Sequence, residues 1–189
     1  MTERSILALI QYAEDTFIDN VSGEISALDL RQFCVDLLDT LTPANGNIAL
    51  VSQLLALTGT PVVIAPFASI TDETAGFYDI TLATGKIVRL SGANPIIVDF
   101  ISVGGSVTGT PNAEVTIGLY KNGVAQPVQQ VTTILSPTNV SNFAFSGFAL
   151  TPGSVDAEYE IRASANSNGN YTFTDMYFQC RRQPARDPL

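Results

Sequence analysis

The sequence predicts a mainly β protein: an antiparallel two-sheet sandwich preceded by a small N-terminal helical hairpin. Three observations carry this. From residue 61 onward apolar and polar residues alternate at period two, the mark of strands with one buried face. Turn-forming pairs rich in Gly, Pro and Asn recur between these runs at short spacing. Residues 2–41 instead space their apolar side chains at three- and four-residue intervals, as a helix does. At 189 residues, with 46% apolar and 14% charged, the chain is long enough to bury one full core.

In the first helical stretch Ile6, Ile10, Ala13 and Phe17 form one stripe, with Leu9 beside it and Glu14 and Asp15 off it. Thr2 is its N-cap candidate, and Asn20-Val21-Ser22-Gly23 breaks it. A second helix starts at Ser26, which stands with Asp29 at capping-box spacing. Its apolar face is Leu30, Phe33, Cys34, Leu37 and Leu41, and Pro43 with Asn45-Gly46 ends it. Two short amphipathic helices cannot bury both stripes alone. They must dock on the β domain, on sister copies or on another protein. This divides the chain into a helical attachment segment (1–41), a connector (42–60), a β-sandwich (61–180) and an extended tail (181–189). Within the connector, residues 48–57 are apolar without clean alternation, so helix and strand both remain open.

Strands are expected at 62–68, 77–82, 87–90, 96–103, 114–120, 128–135, 142–150, 158–165 and 171–180. Turns fall at Thr84-Gly85, Ser91-Gly92, Gly104-Gly105, Pro137-Thr138, Pro152-Gly153 and Ser167-Asn168-Gly169. The clearest signal is residues 114–131. Val115, Ile117 and Leu119 alternate with polar neighbours, and Asn122-Gly123 accepts the positive φ angles of a two-residue hairpin turn. Pro127 marks the returning strand as an edge or a bulged start. In the last strand Tyr171, Phe173 and Tyr177 are read on one face and Met176, Phe178 and Cys180 on the other. One such face suits the core. The other, Tyr171, Phe173 and Tyr177, suits a subunit interface, because a sandwich that trimerises needs apolar side chains beyond those of its own core.

Composition narrows the function classes. The net charge is −9, and residues 1–40 hold eight acids against Arg4 and Arg31. Such a chain repels phosphate backbones, so no nucleic-acid partner is expected. There is no His, which removes imidazole bases and imidazole metal ligands. Cys34 and Cys180 lie too far apart to indicate a metal or disulfide framework and are read as buried thiols. The start of the chain lacks signal-peptide features, and no apolar run reaches the ~18 residues of a membrane span. Residues 18–29 imitate a calcium loop, with Asn20, Ser22, Gly23 and Ile25 in place, but Ile18 replaces the first carboxylate and Asp29 the final Glu. No metal and no cofactor are expected. Asp99 and Asp156 stand without a second catalytic group at any recognisable spacing, so the chain is read as no enzyme. Tyr78, Tyr120 and Tyr171 could stack on sugars, but packing is the commoner use of sheet tyrosines.

Two stretches carry a resemblance. Residues 17–31, Phe17-Ile18-Asp19-Asn20-Val21-Ser22-Gly23-Glu24-Ile25-Ser26-Ala27-Leu28-Asp29-Leu30-Arg31, resemble the F-x-D-N-x-S-G-x-I-S-x-x-D-L-R segment near the start of many tail-fibre and virion-surface proteins of tailed bacteriophages. Within residues 86–180, Ile117-Gly118-Leu119-Tyr120-Lys121-Asn122-Gly123, then Phe148-Ala149-Leu150-Thr151-Pro152-Gly153, then the paired strands ending at Cys180, form a succession similar to the trimeric TNF/C1q-like jelly rolls that cap phage fibres and decorate heads. Here residues 154–157 intervene between the Pro-Gly turn and Tyr159, a departure from that pattern. The resemblance implies that the antiparallel two-sheet sandwich of residues 61–180 is a jelly-roll sandwich, and that the chain is a homotrimeric structural protein of the virion surface, made in the host cytoplasm. It would be anchored to capsid (decoration protein or head fibre) or tail through the helix stripes, with Ile6, Ile10, Phe17, Leu30, Phe33 and Leu37 as contacts. Its partners would be itself and other virion proteins. The alternative is a receptor-binding tail-fibre module recognising a host-surface glycan or protein. The short chain and missing shaft favour the first.

Overall fold

A computed structural model describes residues 11–13, 15, 30–34, 37, 44–74, 76–91, 96–136, 140–152 and 154–183. Eleven strands occur in it: β1 (Asn45–Leu57), β2 (Val62–Val63), β3 (Ser69–Glu73), β4 (Tyr78–Thr81), β5 (Lys86–Arg89), β6 (Ile96–Thr108), β7 (Glu114–Lys121), β8 (Val124–Ile134), β9 (Ser141–Pro152), β10 (Ala157–Ala165) and β11 (Gly169–Gln183). They form two antiparallel sheets, β3-β1-β11-β6-β9 and β4-β5-β10-β7-β8, with β2 pairing β10 beside β5. The sheets face each other across a core that includes Ile48, Leu50, Ile101, Val103, Ile117, Leu119, Ile161, Phe173 and Phe178. Each supplies alternate inward side chains, as in a sandwich.

The β7–β8 hairpin forms as its turn residues dictate. Asn122 has φ 50° and Gly123 φ 75°, the paired positive angles that match the twist of the flanking strands. The Asn122 N–H donates to Glu158 O at 2.8 Å, and its Oδ1 accepts the Glu158 N–H at 2.8 Å, fixing the turn to β10. Pro127 lies on the edge strand β8, within the segment between Ala125 and Gln130 where the register against β7 slips.

Several expectations need correction. Residues 45–57, read as connector, are a full strand between β3 and β11, so the sandwich begins at Asn45 rather than at 61. Their alternation was hidden by a switch of face: Ile48 and Leu50 point inward, Val51 and Ser52 are both exposed, and Leu57 points inward again. β11 switches at the partnered position. Asp175 adopts φ 48°, and the register against β6 slips between Thr174 and Tyr177. This extra residue is a bulge, and it moves Tyr171 and Phe173 onto the same inner face as Met176, Phe178 and Cys180. Only Tyr177 of the three expected interface aromatics faces outward.

The Gly104-Gly105 pair is no turn; β6 runs straight through it to Thr108. β3 was missed because all five of its residues are exposed and lack an apolar alternation. The tail read from 181 begins inside β11. Arg182 is buried, its N–H donates to Ala44 O at 2.8 Å, and its guanidinium lies 5.0 Å from the centre of the Phe77 ring.

Residues 11–13, 15, 30–34 and 37 are helical. Tyr12 stacks on Phe33 with ring centres 6.5 Å apart. Phe33 and Leu37 are half-buried, while Leu30 is exposed. Cys34 is exposed and not the buried thiol expected, since it sits where the stripe is uncovered. Ile6, Ile10, Phe17 and the calcium-like loop 18–29 lie outside the described residues.

Candidate functional site

Two constellations stand out, and they have opposite characters. The first is a polar knot between the sheets. Asp99, on the inward side of β6, is fully buried; its Oδ1 accepts the Tyr78 hydroxyl at 2.8 Å and its Oδ2 the Tyr159 hydroxyl at 2.6 Å. Arg89 Nε stands 3.4 Å from Oδ2, an ion pair without an aligned hydrogen bond. The rest of the guanidinium donates to Leu90 O at 2.9 Å and Val155 O at 2.7 Å. Burial lifts the Asp99 carboxyl above the usual carboxylate range, opposed by the two tyrosine bonds and the Arg89 charge. Burial also raises the Tyr78, Tyr159 and Cys180 ionisations.

The knot ties β4, β5 and β10 of one sheet to β6 of the other and pins the residues around 152–155. Asp99 and Arg89 are both fully buried, so neither charge is open to a substrate. It is a structural clamp. Asp99, read in the sequence as a lone carboxylate, has Tyr78, Tyr159 and Arg89 around it. Its parity in Ile97-Val98-Asp99-Phe100-Ile101 was the legible signal, because an acid at an inward strand position demands buried donors. Asp156 accepts the Ser91 N–H at 2.6 Å and also serves structure. Tyr78 and Tyr171 are buried, and Arg162 covers the Tyr120 ring at 4.5 Å, so packing claims all three tyrosines considered for sugars.

The second constellation is the outer face of the five-stranded sheet. Phe100 on β6 and Phe148 on β9 are register partners whose rings meet with centres 5.3 Å apart at 60°. Leu150 lies beside them opposite Val98. Phe148 is 63%, Leu150 64% and Tyr177 45% exposed, values far above those of core residues. Around Tyr177 the neighbouring outward positions are small: Ala49 on β1, Gly104 on β6 and Ala144 on β9. Ser102 and Ser146 pair between the two groups, and Ser106 donates to Asn142 Oδ1 at 2.8 Å. Among the described outward positions of β6, β9 and β11, only Asp175 and Arg181 are charged.

The other sheet's outer face is built differently. Lys86 pairs with Glu158 at 2.8 Å, Arg162 pairs with Glu160, and the Thr116 and Thr132 hydroxyls bond at 2.9 Å. The hydrogen bond to Glu158 holds the Lys86 ammonium above its usual range. This outer face is therefore laced with ion pairs, whereas on β6, β9 and β11 of the five-stranded sheet the exposed Phe148, Leu150 and Tyr177 stand among uncharged polar residues, with Asp72 and Glu73 set apart on the edge strand β3.

No protein family matches the sequence, and no curated protein matches it. Solved structures match the fold. The structure of Eiger TNF from S. frugiperda aligns with a TM-score of 0.50 at 9% identity, covering 78% of this chain and 97% of that one. The fold is a jelly roll like that of TNF. The globular domain of the zebrafish complement 1qA protein aligns with a TM-score of 0.44 at 12% identity, over 76% and 99% of the two chains. At 9% identity the likeness to the TNF structure is one of fold.

Among the described residues no group of three or more His, Cys, Asp or Glu side chains could hold a metal, and no helix is long and apolar enough to cross a membrane. Of the helical residues expected at sites, Ile6, Ile10 and Phe17 lie outside the described residues. Leu30, Phe33 and Leu37 stay on their helix, and Tyr171 and Phe173 belong to the core. Phe100, Phe148, Leu150 and Gly104 were not foreseen. Their signal was available in the alternation of 142–150, where Phe148 and Leu150 fall opposite in parity to Phe143 and Ala149.

Proposed function

We propose that the chain is a structural protein of a bacteriophage virion surface, homotrimeric through the outer face of the five-stranded sheet and attached to capsid or tail by its N-terminal helices. The observation that carries self-association is that face: Phe100, Phe148, Leu150 and Tyr177 form an apolar, nearly uncharged surface on a chain of net charge −9. Such surfaces on soluble proteins are characteristic of interfaces. A second apolar surface on the β8 edge, with Val128 at 92% and Val124 at 65% exposure, gives the protomer two different patches. Two unlike patches suit a head-to-tail ring, whereas one self-complementary patch suits a dimer. The virion assignment rests on the resemblance of residues 17–31 to phage surface proteins.

Light scattering on the purified chain tests the first part. Three chains per particle are expected, falling to one in Phe148→Asp, and a wild-type monomer at micromolar concentration overturns it. Labelling the protein on intact particles tests the second and separates a head or tail surface location from a receptor-binding tip.

A further inference from the structure

Strand edges offer unpaired N–H and C=O groups to any other strand, and proteins ordinarily block them. Most of the edges here are blocked. β3 carries Asp72 and Glu73, and β4 is only four residues long and carries Asp79. β8 is interrupted by Pro127 and a register slip. β9 has its outward carbonyls occupied: Gln129 Nε2 donates to Phe148 O at 2.7 Å, and Lys121 Nζ donates to Leu150 O at 2.6 Å.

The second half of β1 lacks these devices. β3 covers β1 only from Gly46 to Ala49, and among the described residues no strand pairs with that side of 51–57. The sequence there, Val51-Ser52-Gln53-Leu54-Leu55-Ala56-Leu57, has neither charge nor proline. Val51 is 70% and Leu54 60% exposed. Buried Ala44 accepts the Arg182 N–H of β11 at its O, whereas Asn45 O and Ala49 O accept from Thr74 and Ala68 on the opposite side. Inward-facing residues of this strand thus bond β11 and outward-facing ones the other side; beyond the change of face the outward residues are Ser52, Leu54 and Ala56, and Leu54 O accepts a 3.3 Å bond from the Gln53 side chain. In an antiparallel ladder a residue directs its N–H and C=O to the same side. Ser52, Leu54 and Ala56 therefore all present their backbone groups to the open edge.

We propose that residues 52–56 of two copies pair edge to edge, antiparallel about a two-fold axis at Leu54, joining their five-stranded sheets into one. Ser52 then faces Ala56, and Leu54 faces its own counterpart. Because all three residues share parity, every outward N–H and C=O meets its complement without a change of register. The chemistry selects a second copy. The edge requires a strand, the strand must match three outward-pointing residues in register, and this segment matches itself. Elsewhere two chains of charge −9 oppose each other, but this edge is uncharged. The contact is short and therefore weak, and it is independent of the outer-face association proposed above.

The test is sedimentation of the full chain from micromolar to near-millimolar concentration, beside Leu54→Lys and Phe148→Asp. The wild type is expected to shift toward twice the mass of its basal particle. Leu54→Lys, a substitution at an exposed site, is expected to keep the basal mass and the wild-type melting temperature. Phe148→Asp is expected to lower the basal particle to one chain that still doubles, so failure of the outer-face reading and failure of edge pairing give different patterns. Amide exchange at Ser52, Leu54 and Ala56 should slow several-fold as concentration rises. A wild type that never doubles, a Leu54→Lys variant that doubles equally, or edge amides whose exchange ignores concentration each overturn the proposal.

Discussion

The ring of Tyr177 lies across Gly104: a Cβ on Gly104 would stand 2.6 Å from the ring. The absence of a side chain on β6 is what lets the tyrosine lie flat on the sheet instead of standing off it. The adjacent Gly105 serves the inner face, where a Cβ would meet the Met176 backbone at 2.9 Å. The two glycines sit opposite the bulge of β11.

Substituting each glycine by Ala should therefore separate assembly from folding. In Gly104→Ala the exposed Tyr177 ring can swing away, so stability should change by less than about 1 kcal/mol while self-association weakens. In Gly105→Ala the added methyl meets backbone that cannot rotate aside, and overpacking of that kind costs about 1–3 kcal/mol. Urea midpoints read the second effect, and light scattering reads the first.

The buried knot predicts a dependence on pH. Burial lifts the Asp99 carboxyl, so the folded chain holds a proton at pH values where the unfolded chain has lost it. Between the ordinary value of about 3.9 and the raised native value, the folded state binds more protons, and this group's contribution to stability falls as pH rises. Arg89→Met removes the cation that opposes the lift and also the donors to Leu90 O and Val155 O. Leaving a buried carboxylate without its ion pair costs about 3–5 kcal/mol near neutral pH. The loss should shrink as acid neutralises Asp99. Denaturation of wild type and variant across that range measures it, and a pH-independent difference would contradict the assignment.

The parts of this fold visible in the sequence were those whose local chemistry agrees with their tertiary setting. Asn122-Gly123 needs no distant contact to form its turn, and Ile117 and Leu119 follow a period that nothing interrupts. β1 and β11 were misread because Val51 and Asp175 each add one residue, and one residue reverses every side chain beyond it. Gly104-Gly105 resembles turn material until Tyr177 and Met176 are seen against it. The outer face depended on the same parity. With the bulge unseen, Tyr171 and Phe173 appeared beside Tyr177, and the true neighbours Phe100 and Phe148 lay on strands distant in sequence.

Metal removal should leave the fold unchanged. Residues 18–29 lack the first carboxylate of a calcium loop, and the described acids form no ligand cluster. Thermal melts with and without a strong chelator are expected to coincide. A drop of several degrees on chelation would show that a metal contributes to folding.

The last prediction concerns attachment. Every described strand lies within residues 45–183, so deleting residues 1–41 removes no described member of either sheet. The shortened chain should fold and self-associate as the full chain does. What it loses is the helical stripe, of which Leu30 is exposed and Phe33 and Leu37 are half-buried. If those helices make the contact with the particle, the shortened chain stays in the supernatant when mixed with particles lacking the protein and sedimented. Phe33→Asp should show a milder form of the same defect, because a carboxylate placed against the Tyr12 ring must stay hydrated and forces the contact open. Co-sedimentation of the shortened chain at the wild-type level would move the attachment surface onto the sandwich, with the outer face of the five-stranded sheet as the first place to look.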